Sequence, residues 1–521
     1  MESGWAGPGD YRAATLQRLR FRRQFLLAPG SVEARPGWRC VDVGGGLRLQ
    51  AHPDLALTRV ADGDRSVTLL GELLDPDRPE ASNADLAGRL LGRLTRAVEL
   101  HRQTARLGGR WVLLVDDGRE RVVLHDACGL RQVCYGRAPS GETACASQPG
   151  LLAEALGLEK DGEALAFMAT RGDEDGYVYW MPGDTTVYRG VRALLPNHQL
   201  DLATAEARRF GPGAPPPSIP VGEAVVRAAD LMRGLLGAAR RRGPLSLPMT
   251  AGWDSRLMLA LSRDGARDVY CYTIAYPYVP EDVADVAVPA RLLARLGLEH
   301  HLIRFPADVH PGFKAVQKAS TSSVKAAYSA DAQALHEVSP PGRTCVTGDA
   351  AEIFKCFYRL PGRGPAEVTA RDLCALTLIA EHPFALRAFE DWLAGAAGQP
   401  LHLLDLFAWE QVAGRWQADV RAEYDIVQDS LAPLDVRDLL GLLLSVDEAQ
   451  RRPPAYPFLR ALLQHLWSDV LAEPVNPPDP VRLRTRVGRL LRRLHLEQLV
   501  PQRVRRLGKR PAHQPGAGGG E

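Results

Sequence analysis

The stretch of sequence that decides the fold is Leu245-Ser-Leu-Pro-Met-Thr-Ala-Gly-Trp-Asp-Ser-Arg256. A short apolar run leads into a turn of small residues, and Asp254-Ser255 then precede an apolar run over 257–261. This order predicts a strand, a tight loop and a helix. The backbone N–H groups of such a loop point at one place, and the helix dipole adds positive potential there, which favours phosphate. Because the Asp254 carboxylate would repel phosphate unless a divalent cation lay between them, the loop predicts a site for a metal-chelated di- or triphosphate.

A second acidic loop follows the apolar run 344–346, in Val346-Thr-Gly-Asp-Ala-Ala-Glu-Ile-Phe-Lys-Cys-Phe-Tyr358. Two acidic loops from separate strand ends would hold one Mg²⁺ between them. The alternative for this segment is a capping box, in which Asp349 caps a helix and Glu352 follows three residues later. The alternative for the first loop is an ordinary turn between a strand and a helix, without a ligand.

The residues around the two loops predict further strands and helices. The run 269–275 is rich in Tyr, Val, Thr and Ile and predicts a strand, 282–297 predicts a helix, and 300–305 predicts another strand. Helices are also predicted over 223–241 and 403–424, because apolar residues recur there at helical spacing. The order strand, helix, strand is typical of α/β proteins.

Composition divides the chain into parts. Gly211-Pro-Gly-Ala-Pro-Pro-Pro-Ser218 cannot form the interior of a helix or strand, so it predicts a linker. We expect one domain over 1–210, a second over 219–480, and a basic helix with a disordered tail over 481–521. Residues 481–510 carry 11 Arg or Lys against one acidic residue. This charge fits either a solvated amphipathic helix on the second domain or a dock for an acidic partner or anionic substrate.

Charge and hydrophobicity exclude several classes of protein. The formal net charge is +2 over 521 residues, so the whole chain has no attraction for nucleic acid. No apolar run reaches the roughly 18 residues of a membrane span, and no early segment resembles a signal peptide, so we expect a cytoplasmic protein. The eight cysteines are scattered without CxxC spacing, which disfavours a disulfide framework or a zinc site. A homodimer is left open.

The segment 250–255 resembles the Ser-Gly-Gly-x-Asp-Ser pyrophosphate loop of the asparagine synthase-like family, the family of glutamine-hydrolysing asparagine synthetase. These enzymes cleave ATP between its α and β phosphates. Thr250 keeps the hydroxyl of the family's first Ser, whereas Ala251 stands at its first Gly. The second acidic loop resembles the family's Gly-rich turn with Asp-Glu, an aromatic residue and a Tyr. The resemblance runs from about residue 20 to residue 480.

The N-terminal half resembles the glutamine-hydrolysing domain of the same family. Two predicted hairpin strands are joined through Asp117-Gly118. Asp126, Gly129 and Arg131 match the Asp-x-x-Gly-x-Arg segment that this domain carries.

The start of the chain departs from the family's active glutaminases. Their nucleophile is a Cys that removal of the initiator Met exposes, and its free α-amine is the base. Here the sequence begins Met1-Glu2-Ser3, and the first Cys is Cys40. We therefore expect no glutaminase activity. Branches of the family without it include β-lactam synthetases and lasso-peptide macrolactam synthetases.

The resemblance implies an α/β fold in two parts. An N-terminal Ntn-hydrolase-like (class II glutamine amidotransferase-like) β-rich domain is followed by a doubly wound parallel-sheet ATP-pyrophosphatase (PP-loop) synthetase domain.

The resemblance also implies site residues. Asp254 and Asp349 are expected to bind Mg²⁺. The residues expected to contact ATP are Thr250, Ala251, Gly252, Asp254, Ser255, Arg256, Thr273, Ile274, Gly348 and Asp349, with Thr273 and Ile274 near the adenine. The candidates for acid–base chemistry or for stabilising an oxyanion are Glu352, Lys355, Tyr358 and Glu410. The alternative for Arg256 is a solvated residue in the first turn of its helix.

The function that the resemblance implies is an ATP-dependent ligase that adenylates a carboxylate and joins it to an amine. The substrates would be small molecules or peptides, and neither nucleic acid nor a membrane is expected as a partner. One alternative is an inactive family member that binds a partner or a leader peptide. The other is asparagine synthesis from free ammonia.

Overall fold

The computed structural model describes residues 9–170, 180–213, 217–275, 281–321, 328–360 and 362–478. The chain start and the basic segment 481–521 lie outside these ranges, as do residues 214–216 of the expected linker. Within the described residues, no helix combines the length and the apolar character that crossing a membrane requires.

The N-terminal part contains twelve described strands, which form two sheets. In chain order the strands are β1 (Phe25–Pro29), β2 (Arg39–Asp42), β3 (Leu47–Ala51), β4 (Leu57–Asp62), β5 (Arg65–Leu74), β6 (Gly108–Asp117), β7 (Arg121–His125), β8 (Cys134–Arg137), β9 (Thr143–Ala146), β10 (Arg192–Ala193), β11 (His198–Asp201) and β12 (Glu206–Arg209). The first sheet has the order β10-β8-β9-β1-β3-β2 and the second β12-β11-β7-β6-β5-β4, with antiparallel pairing. The predicted hairpin is the β6–β7 pair, in which Asp116 lies opposite Arg121.

Helices cover the outer faces of both sheets. The helices of this part are α1 (Ala13–Leu19), α2 (Asn83–Gly92), α3 (Leu100–Gln103), α4 (Pro149–Leu156) and α5 (Gly162–Ala169), with a 3₁₀ turn at Ala97–Glu99. Side chains of β1 and β3 form one buried cluster with those of β6 and β7, so the two sheets pack face to face. α4 packs on the outer face of the first sheet and α2 on that of the second. These four layers are the Ntn-hydrolase-like arrangement that was expected.

The C-terminal part is built on one parallel sheet. Its strands are β13 (Leu245–Pro248), β14 (Tyr270–Ala275), β15 (His301–Arg304), β16 (Thr344–Val346) and β17 (Ser430–Leu431). Their order is β15-β14-β13-β16-β17, and all neighbours are parallel. From β13 to β15 the chain moves toward one edge of the sheet, and β16 and β17 are then added on the other side of β13. The switch point of the sheet therefore lies between β13 and β16. In such sheets, ligands bind outside the carboxyl ends of the strands at this switch point.

Helices lie on both faces of the parallel sheet, which makes the fold doubly wound. They are α6 (Val221–Arg242), α7 (Trp253–Leu261), α8 (Ala284–Arg295), α9 (Pro311–Ser320), α10 (Ser329–Val338), α11 (Ala351–Phe354), α12 (Ala370–Thr377), α13 (Pro383–Ala396), α14 (Leu403–Phe407), α15 (Ala418–Tyr424), α16 (Arg437–Leu444), α17 (Glu448–Arg451) and α18 (Pro457–Trp467). Short 3₁₀ turns lie at Arg263–Asp268, Pro365–Glu367 and Ser468–Leu471. The predicted helices at 223–241 and 282–297 correspond to α6 and α8.

The predicted helix over 403–424 is interrupted. A π-helix, Ala408–Gln417, joins α14 to α15. Its side chains bond to the N-terminal part: Trp409 Nε1 donates to the Ala127 carbonyl at 2.8 Å, and Arg415 Nη2 donates to the Thr185 carbonyl at 2.8 Å. Apolar spacing does not distinguish α from π winding, so the sequence pattern could not predict this change.

Candidate functional site

Two loops meet at the switch point of the parallel sheet. The first follows β13 and leads into α7, whose N-cap is Gly252. The second follows β16 and leads into α11. A Cβ atom on Gly348 would lie 2.6 Å from the Cβ of Asp254, so only glycine permits this approach of the two loops. The structure thus brings together the two acidic segments that the sequence singled out.

Lys355 forms the closest charge contact of Asp254. Its Nζ donates to Oδ1 at 2.8 Å and to Oδ2 at 2.7 Å, and it lies 3.8 Å from a Glu352 oxygen. Burial alone would lower the pKa of Lys355, but the Asp254 and Glu352 carboxylates outweigh burial and raise it. Burial also raises the pKa of Asp254; Lys355 opposes this rise, while Glu352 and Asp349 add to it. The short contacts to both carboxylate oxygens make Lys355 the group that favours the charged form of Asp254.

Asp349 has a different set of contacts. It accepts a hydrogen bond from Thr347 Oγ1 at 2.7 Å, and the Arg421 guanidinium of α15 lies 3.2 Å from the same carboxylate oxygen. The N-cap of α11 is Ala350, and no side chain caps that helix. The capping-box alternative for Asp349 and Glu352 is therefore wrong, because the Asp349 side chain turns back to Thr347 and α11 is only one turn long.

Gln417 forms two hydrogen bonds to the second loop. Its Oε1 accepts from the Ala350 N–H at 2.8 Å, and its Nε2 donates to Glu352 at 2.7 Å. Ala350 has φ +70°, which is unusual for a residue with a Cβ. Gln417 therefore stabilises a strained turn and orients Glu352. No local motif marks Gln417 for this role, which lies within the helix predicted over 403–424.

Side chains and neighbouring segments already satisfy several groups of the first loop. Ser255 Oγ donates to the Thr250 carbonyl at 3.1 Å, and the Gly252 N–H donates to Thr250 Oγ1 at 3.2 Å. The Ala251 N–H donates to Asp285 at 3.1 Å. The Ala251 carbonyl accepts from the Asn476 N–H at 2.9 Å. Sequence reasoning missed Asp285 and Asn476, which lie far along the chain.

Arg256 does not face the loop. It is fully buried, and its guanidinium donates to the carbonyls of Val470 at 2.8 Å and of Glu473 and Pro474 at 2.5 Å. The solvated alternative is therefore wrong. This geometry ties α7 to the segment after α18 and gives no support to a phosphate contact.

The residues expected near adenine lie on β14. Thr273 Oγ1 donates to the Met249 carbonyl at 2.8 Å and lies 2.9 Å from His300 Nε2. Ile274 packs against the apolar cluster beneath β14 and β15. Thr273 is thus adjacent to the start of the first loop, whereas the Ile274 side chain serves the core.

Two tyrosines lie near Glu352. Burial raises the pKa of Tyr358 and Glu352 adds to the rise. Tyr456, which sequence reasoning missed, has φ +43°, and its ring packs edge-on against Trp253 at 5.9 Å. Burial raises the pKa of Tyr456, and the charges of Lys355, Asp254 and Glu352 also act on it. The charges at the junction of the two loops thus act on Tyr456, and that of Glu352 acts on Tyr358.

Glu410 lies elsewhere. It is fully buried and contacts Arg209, Asn197 Nδ2 at 3.3 Å and Trp392 Nε1 at 2.9 Å. These contacts place it in the π-helix contact with the N-terminal part, so it is not brought to the two loops.

Asp254 and Asp349 suit a metal that arrives with a nucleotide. Across the described residues, no three His, Cys, Asp or Glu side chains form a ready metal site. Mg²⁺ commonly uses one or two protein carboxylates and completes its shell with phosphates and water. The influence of Asp349 and Glu352 on the pKa of Asp254 shows that these acids share one electrostatic environment. The donor set therefore fits Mg²⁺ bound to phosphate.

Comparison with known proteins does not assign a family. No protein family and no curated protein matches the chain. Among solved structures, a glutamine phosphoribosylpyrophosphate amidotransferase from B. subtilis, complexed with ADP and GMP, is similar over 57% of this chain and 63% of its own, at 12% identity and a TM-score of 0.23. A glutamine-dependent NAD⁺ synthetase from Acinetobacter baumannii, in complex with ADP, matches 46% of this chain and 50% of its own, at 15% identity and a TM-score of 0.17.

An NMN synthetase from Francisella tularensis matches 37% of this chain and 93% of its own, at 12% identity and a TM-score of 0.19. The chain spans less than two thirds of the length of the first two structures. At these TM-scores the matches assign no site residue to this chain.

Proposed function

We propose that this protein is an ATP-dependent ligase that adenylates a carboxylate and joins it to an amine, releasing pyrophosphate and AMP. The observation that carries the proposal is the contact between two acidic loops at the switch point of a parallel sheet, with Lys355 at their junction. The sequence resemblance of the first loop to a pyrophosphate loop supports it.

The roles of the loop residues follow from their chemistry. Asp254 and Asp349 would hold Mg²⁺, which supplies positive charge against the triphosphate. The hydroxyls of Thr250 and Ser255 and the N–H of Gly252 would contact the pyrophosphate after exchanging their internal hydrogen bonds for it. The N-terminus of α7 adds favourable potential for the leaving anion.

The chemistry has two steps. A substrate carboxylate oxygen attacks the α-phosphorus, and the bond to the β-phosphate oxygen breaks to release pyrophosphate. The amine nitrogen then attacks the acyl carbon and loses a proton, and the bond to AMP breaks to leave an amide. Glu352, which the Gln417 amide orients, would accept that proton, and Lys355, 3.8 Å from Glu352, would stabilise the oxyanion.

The segment before β1 supports the absence of glutaminase activity. In the family's active enzymes the nucleophile is a chain-terminal Cys. Here α1 precedes β1 and packs with α9 of the C-terminal part. Just before β1, the Arg22 guanidinium donates to the carbonyls of Ile426 and Val427 at 3.3 and 3.2 Å. These contacts occupy the approach to β1 with structural side chains.

One observation favours the second candidate, a binding protein without turnover. Lys355 neutralises Asp254, and Asp285 accepts the Ala251 N–H, so these groups are satisfied within the protein. A protein of this kind would bind ATP weakly and form no AMP.

The test is exchange of labelled pyrophosphate into ATP with Mg²⁺ and a panel of carboxylic acids, combined with calorimetric ATP binding. Exchange that depends on one acid, followed by AMP release when an amine is added, supports the ligase. ATP binding without exchange for any acid would favour the binding protein. Formation of asparagine from aspartate and ammonium would identify the third alternative, and no Mg²⁺-ATP binding at all would end the ligase proposal.

A further inference from the structure

Lys355 occupies the place at Asp254 that a metal ion would take. Its ammonium contacts both carboxylate oxygens at 2.7 and 2.8 Å. The Lys355 side chain is 9% exposed, and that of Asp254 is 33% exposed. The pair is therefore closed toward the protein and open toward the solvent on the Asp254 side.

The surroundings of the pair are acidic. Glu352 lies 3.8 Å from the Lys355 ammonium, and Asp349 acts electrostatically on Asp254. Asp349 has the Arg421 guanidinium at 3.2 Å, whereas Lys355 stands between Asp254 and Glu352. Without the Lys355 charge, Asp254 and Glu352 would repel each other and attract a cation.

We propose that Lys355 and Asp254 exchange partners when Mg²⁺-ATP binds: the ammonium moves to a phosphate oxygen and the carboxylate takes the metal. The inference rests on the proposed function, because it assumes that the nucleotide enters at the two loops. Its consequence is that the site rejects divalent cations until a triphosphate arrives.

Electrostatics explains the coupling. A divalent ion at Asp254 would lie within a few ångströms of the Lys355 ammonium, and like charges at that distance repel strongly in a partly buried site. A triphosphate removes the conflict, because it binds both the metal and the ammonium. The flexible stem of a lysine allows its head to move while the backbone of α11 stays in place.

The test measures Mn²⁺ binding to the full chain without nucleotide, by the loss of the free-ion signal in electron paramagnetic resonance. We expect weak binding by the wild type and about tenfold tighter binding by Lys355→Met, because one repelling charge is gone. Lys355→Arg should bind as weakly as the wild type. The matched control is Lys318→Met, which changes a different lysine, on α9, and should leave Mn²⁺ binding unchanged.

Two further variants show which site the metal uses. The double variant Lys355→Met with Asp254→Asn should lose the gained Mn²⁺ binding. Asp254→Asn alone keeps Lys355 but removes its charged partner, so ATP in the presence of EDTA should bind about tenfold more tightly than to the wild type. This variant keeps the inference testable if Lys355→Met does not fold.

The outcomes separate this inference from the proposed function. Unchanged Mn²⁺ binding in folded Lys355→Met would overturn the exchange of partners, whatever the protein does with ATP. If that variant does not fold, unchanged metal-free ATP binding in Asp254→Asn would overturn it. A third outcome is that Lys355→Met binds Mn²⁺ more tightly but the wild type does not bind Mg²⁺-ATP. Lys355 would then be a permanent cation of the site, and the proposed ligase function would be overturned.

Discussion

Two of the charge clusters among the described residues are built differently. One lies between the N-terminal and C-terminal parts, where Arg110 donates to both oxygens of Asp425 at 2.5 and 2.8 Å and Arg131 donates to both oxygens of Asp429 at 3.1 Å. The other is the Asp254–Lys355 pair at the switch point. The first contains planar guanidinium groups, of which Arg110 binds its carboxylate through two nitrogens, whereas the second joins a carboxylate to one flexible ammonium.

Burial separates the two clusters further. The Arg110 and Asp425 side chains are 4% and 8% exposed, whereas Asp254 is 33% exposed. A buried bidentate pair cannot change partners without leaving charge in the protein interior. A pair with one solvent-exposed side can change partners. Burial therefore marks the Arg110–Asp425 pair as structural, whereas the exposed side of Asp254 is where the proposed function would place a ligand.

The largest expected effect comes from breaking the interface cluster. Arg110→Ala leaves Asp425 buried without its bidentate partner, and we expect a loss of about 3–5 kcal/mol in the free energy of unfolding. Chemical denaturation followed by circular dichroism measures it. Arg106→Ala is the matched control, because its pair with Asp77 is half exposed, and it should cost about 0–1 kcal/mol. Equal losses in the two variants would contradict the structural role that burial gives to the Arg110–Asp425 pair.

The next effect tests the loop pair. Asp254→Asn removes a metal ligand while keeping the shape of the side chain, so we expect at least about a 100-fold loss in the pyrophosphate exchange rate with Mg²⁺-ATP. The unfolding transition should move less than in Arg110→Ala, because Glu352 still faces the Lys355 ammonium. Asp264→Asn, an exposed change after α7, should retain the exchange rate. An active Asp254→Asn enzyme would contradict the assignment of the metal site.

A smaller effect is expected at Gln417. Gln417→Ala removes the partner of the strained Ala350 N–H and frees Glu352, and we expect about a tenfold lower kcat with little change in the KM for ATP. Adding Ala350→Gly should restore part of kcat, because glycine adopts φ +70° without strain. Steady-state pyrophosphate release measures both constants. A change confined to KM would argue against a positioning role.

The smallest effect is a pH dependence of the interface cluster. Burial alone would raise the pKa of Asp429. The charges of Arg131, Arg110 and Arg23 outweigh burial and hold this pKa well below its usual range. Its stabilising contribution is therefore complete above the unfolded pKa of about 4 and is lost as the pH falls through the folded pKa. The melting temperature should drop below about pH 4, and Asp429→Asn should flatten that drop. An unchanged slope in the variant would assign the acid sensitivity to other carboxylates.

The sequence predicted the parts of the fold that local pattern determines. Apolar spacing and small-residue turns in the sequence are sufficient to predict the strands β13, β14 and β16 and the helices α6 and α8. The meeting of Asp254 with the second loop followed from the resemblance, since the two segments are distant in the chain. The π-helix was missed because its winding depends on contacts with the other part of the protein.

The site residues that were missed share a cause. Gln417, Tyr456 and Asn476 reach the loops only through the packing of distant segments, and no local motif marks them. Tyr456 and Asn476 also have positive φ values, which sequence patterns do not reveal for such residues. Arg256 was expected to touch phosphate because it follows the loop directly, yet the turn of α7 carries its side chain into the interior.

Through the π-helix, the N-terminal part can support the second loop without catalysing a reaction itself. A π turn holds one more residue than an α turn, and such segments usually persist only where their surroundings hold them. Here Trp409 and Arg415 bond to the Ala127 and Thr185 carbonyls in loops of the N-terminal part, and the last residue, Gln417, reaches the second loop. Were those anchors released, the segment would rewind and Gln417 would rotate away from Glu352. The N-terminal part would thus position Gln417, and through it Glu352 of the second loop, whether or not it carries a reaction of its own.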